Sequence, residues 1–166
     1  GDEIGMGDNI WLNDRDGVRT PMQWDASAGA GFSTGEQAHF PYPLLDDPVY
    51  GPAAVNVAAQ QADPDSLFNW LRGILAVRAG IPAMSLGEFV DLGGPDEVFS
   101  FVRRHDGVTV VAVNNLTDAS ASVDLDLSAW APTGTVELAG TAERTLDGGT
   151  LTVTLPPYGH AWFEVR

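Results

Sequence analysis

The sequence predicts a mainly β chain of the α+β class, in which a long irregular loop and one helix precede an antiparallel β-sandwich. Three observations predict it. From residue 85 onward, short alternating or β-branched runs are separated by turn sequences rich in Gly and Pro. Residues 63–80, DPDSLFNWLRGILAVRAG, carry apolar side chains at helical spacing. Residues 1–63 are rich in Gly, Pro, Asp and Asn and show hardly any repeating pattern.

The elements follow in chain order. The loop carries isolated aromatics at Trp11, Trp24, Phe32, Phe40, Tyr42 and Tyr50. A disordered segment is poor in such groups, so they predict a folded, functional loop. AAVNVAAQQ, residues 53–61, is compatible with a short helix or an extended run, and we read it as helical. In the main helix Leu67, Trp70, Leu71, Ile74 and Leu75 form the apolar stripe. Asp63 is the expected N-cap, Pro64 the first helical residue, and Gly80 with Pro82 the stop. The strand runs are EFVDL, EVFSFVRRH, VTVVAVNNL, ASVDLDLS, TVELAG, GTLTVTL and HAWFEVR, broken by GGPDE, HDG, APTG, LDGG and PPYG. Hairpin spacing makes about seven or eight antiparallel strands. The boundary falls near residue 82, dividing the chain into 1–82 and 83–166. The helix has no partner strands in its own half. Its stripe is expected to bury against a sheet outside these residues, unless the β domain covers it.

Composition narrows the function. The chain has 166 residues, 44% of them hydrophobic, which supports a packed core. No apolar run is long enough to span a bilayer, and GDEIGMGDN lacks the basic start and apolar core of a signal peptide. No membrane partner is expected. Cysteine is absent, which removes disulfides, thiolate catalysis and cysteine-ligated zinc and suits a cytoplasmic location. The formal charge is −15 and all 8 basic residues are arginine, so there is no lysine for Schiff-base chemistry and no nucleic-acid partner is expected. The scattered acids read as a solvated surface, and neutral ligands such as sugars stay open.

Among the motifs, DRDGVRTPMQW, residues 14–24, combines guanidinium forks, carboxylates and a proline brace. Such groups pair with each other in a loop-pinning network or with vicinal sugar hydroxyls, and spacing alone favours the network. Asp2 and Glu3 are adjacent acids; on an extended segment they would point to opposite faces and could not flank one scissile bond. His39, His105 and His160 lack the spacing of a zinc site, and the latter two sit at expected turns. No phosphate loop, nucleophile elbow or zinc-protease motif is present. Trp130 and Trp162 could stack sugars but are better read as packing residues, one of Trp162 and Phe163 having to face the core.

Three stretches carry a family resemblance: GDEIGMGDNIWLNDRDGVRTPMQWD, then VYGPAAVNVAAQQADPDSLFNWLRGILAVR, then VAVNNLTDASASVDLDLSAW with VELAG and PPYGHAWFEV. Together they resemble the C-terminal part of the trehalose synthase family, maltose α-D-glucosyltransferases of glycoside hydrolase family 13 in the α-amylase superfamily. RTPMQW, VNVxxQ and SLxNWxR are shared with α-glucosidases of that superfamily, whereas GDNIWL with RDGV, and the NNL to VELAG pattern, point to trehalose synthases.

The resemblance implies a (β/α)8 barrel whose eighth strand ends just before Gly1. Residues 2–62 would be the loop after that strand, 64–79 the last barrel helix and 85–166 the C-terminal β-sandwich, in keeping with barrel active sites built from such loops. The family's catalytic Asp, Glu and second Asp would all precede Gly1, so no catalytic residue, metal ligand or cofactor is assigned here. By resemblance Arg15 helps close the pocket around the non-reducing glucose, Asp16 and Arg19 are substrate-binding or loop-fixing partners, and Asp14 is a weaker one. The implied reaction is a retaining double displacement in which the glucosyl group of maltose moves to the enzyme and back to the retained glucose, giving trehalose. The implied partners are maltose, trehalose and glucose, the rest of the barrel, and a second copy in a homo-oligomer. The alternatives are part of an α-glucosidase or oligo-1,6-glucosidase, or a non-catalytic carbohydrate- or partner-binding β module.

Overall fold

Alternation of apolar and polar side chains organises the second half of the chain. In the computed structural model, which describes Gly1–Arg166, eight strands form there. They are β1 (Glu88–Asp91), β2 (Val98–His105), β3 (Val108–Asn115), β4 (Ala121–Asp126), β5 (Thr135–Gly140), β6 (Glu143–Asp147), β7 (Thr150–Leu155) and β8 (His160–Val165). Every pairing is antiparallel, in a five-stranded sheet ordered β1-β2-β3-β8-β5 and a three-stranded sheet ordered β4-β7-β6. Inward residues of both sheets, including Val102, Val111, Val113, Leu125, Leu151, Val153 and Phe163, make one core. The hairpin turns behave as their glycines require: Asp106 and Gly107 (φ 47° and 81°) join β2 to β3, and Gly148 and Gly149 (φ 56° and 96°) join β6 to β7. The chain is mainly β, with an antiparallel β domain after the helical segment.

Two local expectations are corrected. β6, ERTLD, is not among the expected runs because its inward positions are Arg144 and Leu146, and an inward arginine hides the apolar alternation. Arg144 is satisfied there by Glu137 Oε2 at 3.0 Å and Thr135 Oγ1 at 3.1 Å, with its guanidinium 4.8 Å from the Phe163 ring centroid. His105 and His160 lie at the end of β2 and the start of β8, not in turns. Burial lowers the His160 pKa below its ordinary 6.5. The unfolded chain therefore takes up a proton there more readily than the folded one. Stability is expected to fall as the pH drops from about 6.5 through the folded-state value, and His160→Gln should flatten that part of a calorimetric pH series.

The helical segment contains α1 (Val57–Ala62), α2 (Leu67–Ala79) and α3 (Pro82–Leu86). α1 occupies the second part of the run read as helical and is capped by Asn56, whose Oδ1 accepts the Ala59 N–H at 2.8 Å. α2 begins three residues later than the Asp63–Pro64 signal suggested. Asp63 Oδ1 instead accepts the Asp65 N–H, and Ser66 Oγ takes the N-cap role by accepting the Asn69 N–H at 3.2 Å. Pro82, expected only as a stop, also opens α3. No residue of α2 is buried; Leu67, Trp70 and Leu75 are 42%, 46% and 52% exposed. Leu71 and Ile74 are half-buried, so the apolar stripe of α2 is only partly covered within this chain.

The chain divides into two compact units, Gly1–Gly73 and Ile74–Arg166. The first has little regular structure, and side-chain amides satisfy its irregular backbone. Gln23, fully buried, donates from Nε2 to Tyr50 O at 3.0 Å and Val55 O at 2.5 Å. Asn56 Nδ2 reaches Pro52 O, Gln60 Nε2 reaches Ile4 O at 2.6 Å, and Asn69 Nδ2 reaches Gln60 O and Asp63 O. In the second unit Trp162 packs beside Ala83, Met84 and Val110 while Phe163 enters the sandwich core, and Trp130 packs at the core's edge.

Candidate substrate-binding loop

The RDGVRTPMQW segment is fixed from both ends. Asp14 lies in the left-handed region (φ 51°), which a short acidic side chain tolerates, and residues Asp16–Arg19 form a 3-10 turn. Gly17 is buried, and a Cβ there would overlap Asp8 Oδ1 and lie 2.5 Å from Asn9 O, so only glycine allows the turn to sit against segment 8–9. Asn9 N donates to Gly17 O at 3.2 Å across this contact. At the other end Thr20 and Pro21 are buried and Gln23 is anchored as described.

Between these anchors the charged residues divide. Asp16 Oδ1 accepts from Arg19 Nη1 at 3.3 Å and from the Tyr42 hydroxyl at 3.0 Å. Arg15 is exposed and stands outside that network. The structure therefore puts Asp16 and Arg19 in the loop-pinning arrangement and leaves the Arg15 guanidinium unspent. Asp14 is exposed as well. Tyr42 is a member of the network that the sequence flagged only as an isolated aromatic; it lies 26 residues from Asp16, beyond any local pattern.

The hydrogen bond to Asp16, together with that carboxylate's charge, raises the Tyr42 pKa above its ordinary 10.0. The bond holds below that ordinary value and is lost as the pH rises through the folded-state value. Asp16→Asn is expected to return the Tyr42 phenol toward ordinary titration, read by ultraviolet difference spectra. An unmoved titration would place the cause elsewhere.

Asp2 and Glu3 lie in a 3-10 turn, Asp2–Ile4, and not on the extended segment expected; Ile4 is its buried anchor. No three His, Cys, Asp or Glu side chains converge as a metal site would need. No helix is long and apolar enough to cross a membrane. What the loop can do chemically is offer a fork of N–H donors, held by a braced turn, to ligand oxygens.

The chain is similar to known proteins along nearly its whole length. The model described as "Alpha amylase, catalytic domain" matches residues 1–87, and that described as "Maltogenic Amylase, C-terminal domain" matches residues 88–162. The trehalose synthase/amylase TreS of Mycobacterium tuberculosis (strain ATCC 25618 / H37Rv) is 47% identical over 170 residues, covering 99% of this chain and 28% of that protein. The trehalose synthase of Pimelobacter sp. (strain R48) is 43% identical over 171 residues, covering 99% of this chain and 30% of that protein. The crystal structure of the trehalulose synthase MutB from Pseudomonas mesoacidophila MX-45 superposes with a TM-score of 0.71 at 30% identity, over 95% of this chain and 27% of that one. The chain thus spans less than a third of the length of these curated relatives. It belongs to the α-amylase family, joining the closing part of the catalytic domain to a C-terminal domain of the maltogenic-amylase type.

Proposed function

We propose that this chain is the C-terminal stretch of a trehalose synthase, a maltose α-D-glucosyltransferase that interconverts maltose and trehalose by intramolecular glucosyl transfer. The identity to trehalose synthases over nearly the whole chain supports this reading, and the braced loop with its uncommitted Arg15 is the observation that carries it. In it, residues 1–82 close the barrel domain and residues 83–166 form a structural β domain. Arg15 donates hydrogen bonds to hydroxyls of the transferred glucosyl unit. Asp16 and Arg19, with Tyr42, hold the turn that presents it. The mechanism is a retaining double displacement: an enzyme carboxylate displaces the glucose leaving group, and the anomeric hydroxyl of that glucose then attacks the glucosyl-enzyme. A rigid, water-excluding loop favours re-attack over hydrolysis.

The nucleophile and acid/base are supplied by residues outside this chain. The 166 residues alone are expected to convert no maltose. For the full-length protein the test is isotopic: maltose is incubated with an excess of ¹³C-labelled free glucose and the trehalose product is examined by NMR. Intramolecular transfer leaves the trehalose unlabelled. Trehalose labelled in proportion to the free glucose pool would overturn it.

A further inference from the structure

Segments 7–11 and 45–50, both in the first unit, enclose an open depression of about 750 Å³ that includes none of Arg15, Asp16 or Arg19. Its floor is set by Gly7, where a Cβ would lie 2.7 Å from Tyr50 Cβ, and by the buried Leu45. One wall is a turn built on Asn9: Oδ1 accepts the Trp11 N–H at 3.3 Å and the Asn9 carbonyl accepts the Leu12 N–H at 3.0 Å. That turn holds the Trp11 side chain 87% exposed. The other wall is ordered by Asp47, whose Oδ1 accepts the N–H groups of Val49 and Tyr50 at 2.7 and 2.9 Å, leaving its second oxygen available. Asp8, Asp46 and the exposed Ile10 complete the lining.

The chemistry selects a class of ligand. A fully presented indole offers a flat apolar face with a polar edge, which suits the C–H face of a pyranose ring. Carboxylates and an amide around it accept and donate to hydroxyls. Three acids and no base in the lining repel phosphorylated or carboxylated sugars, and these acids do not converge as metal ligands. We propose that this depression is a subsite for a neutral saccharide, with Trp11 as the stacking platform and Asp46 and Asp47 as hydroxyl acceptors. The Asn9 to Gly17 hydrogen bond ties its wall directly to the arginine loop. The choice of an α-glucoside as its ligand rests on the function proposed above.

The test uses the full-length protein and thiomaltose, whose sulfur linkage resists transfer. Indoles are oxidised with N-bromosuccinimide, and the modification of Trp11 is followed by peptide mass spectrometry. Trp11 is expected to react readily alone and to be protected by saturating thiomaltose, but not by glucose 6-phosphate. By titration calorimetry Trp11→Ala should weaken thiomaltose binding about tenfold and Trp11→Phe by less than about threefold. Oxidation unaffected by thiomaltose, an indole already unreactive without sugar, equal protection by the phosphorylated sugar, or unchanged affinity in Trp11→Ala would each overturn the assignment. Because protection needs no turnover and no variant, it separates the two readings. Protection in a protein that makes no trehalose would sink the proposed function alone, and trehalose formation without protection would sink the subsite alone.

Discussion

Replacing Arg15 by Ala in the full-length protein is expected to remove about 1 to 3 kcal/mol of transition-state stabilisation, read as a fall in kcat/KM for maltose. The expectation follows from how the loop distributes its charges. Arg19 is committed to Asp16 and Asp16 also accepts from Tyr42, whereas the Arg15 guanidinium has no part in that network. Braced by the buried Gly17 and Gln23, the turn loses little freedom when it binds. Arg15→Lys keeps the charge but not the fork, and should recover only part of the loss. Arg19→Ala is the control. It removes an exposed pair of the kind that contributes little to stability, so its effect should be smaller and should reach the sugar only through the loop. An unchanged kcat/KM in Arg15→Ala would make Arg15 a solvated surface cation.

Phe163→Ala should cost about 3 to 5 kcal/mol of stability, because it empties the centre of the β-sandwich. Phe163 is the largest of the fully buried side chains, pairs across β3 with Val111 and across β5 with Glu137, and lies under the Arg144 guanidinium. Its removal leaves a cavity and also strips Arg144 of the ring it packs on. Phe163→Leu fills most of the space and should cost less than about 1.5 kcal/mol if the core repacks. Denaturant titration of both variants checks this. A loss below about 1 kcal/mol for Phe163→Ala would mean that the core is not centred on this ring.

The β half was legible because its strands alternate and its turns are marked by Gly and Pro. It failed at β6, where Arg144 takes an inward position and is satisfied by Glu137, Thr135 and an aromatic face, none visible locally. α2 starts later than its sequence signal because Asp63 and Pro64 form a valid cap signal for a turn that precedes the helix. The turn they begin runs on to Ser66, whose hydroxyl caps the helix while donating to Gln60 O. The first unit has no periodicity to read, since its order comes from side-chain amides bonding to backbone, Gln23 and Gln60 to residues far along the chain and Asn56 and Asn69 to nearer ones. Those are the polar residues of PMQW, VNVxxQ and SLxNW, so the shared motifs turn out to hold much of the loop's structure. Arg15 was distinguished from its neighbours only by family resemblance, and Tyr42 and Trp11 only by being aromatics in a polar loop.

The apolar residues that α2 leaves exposed and the amide-ordered loop fit a chain that matches the α-amylase catalytic domain over residues 1–87 and spans less than a third of its curated relative. The most direct measurement is to incubate the purified full-length protein with maltose and separate the products by anion-exchange chromatography. Trehalose accumulating to an equilibrium with maltose, with free glucose only a minor product and the same mixture approached from trehalose, is the expected result. Stoichiometric release of glucose without trehalose would contradict it and make the parent an α-glucosidase.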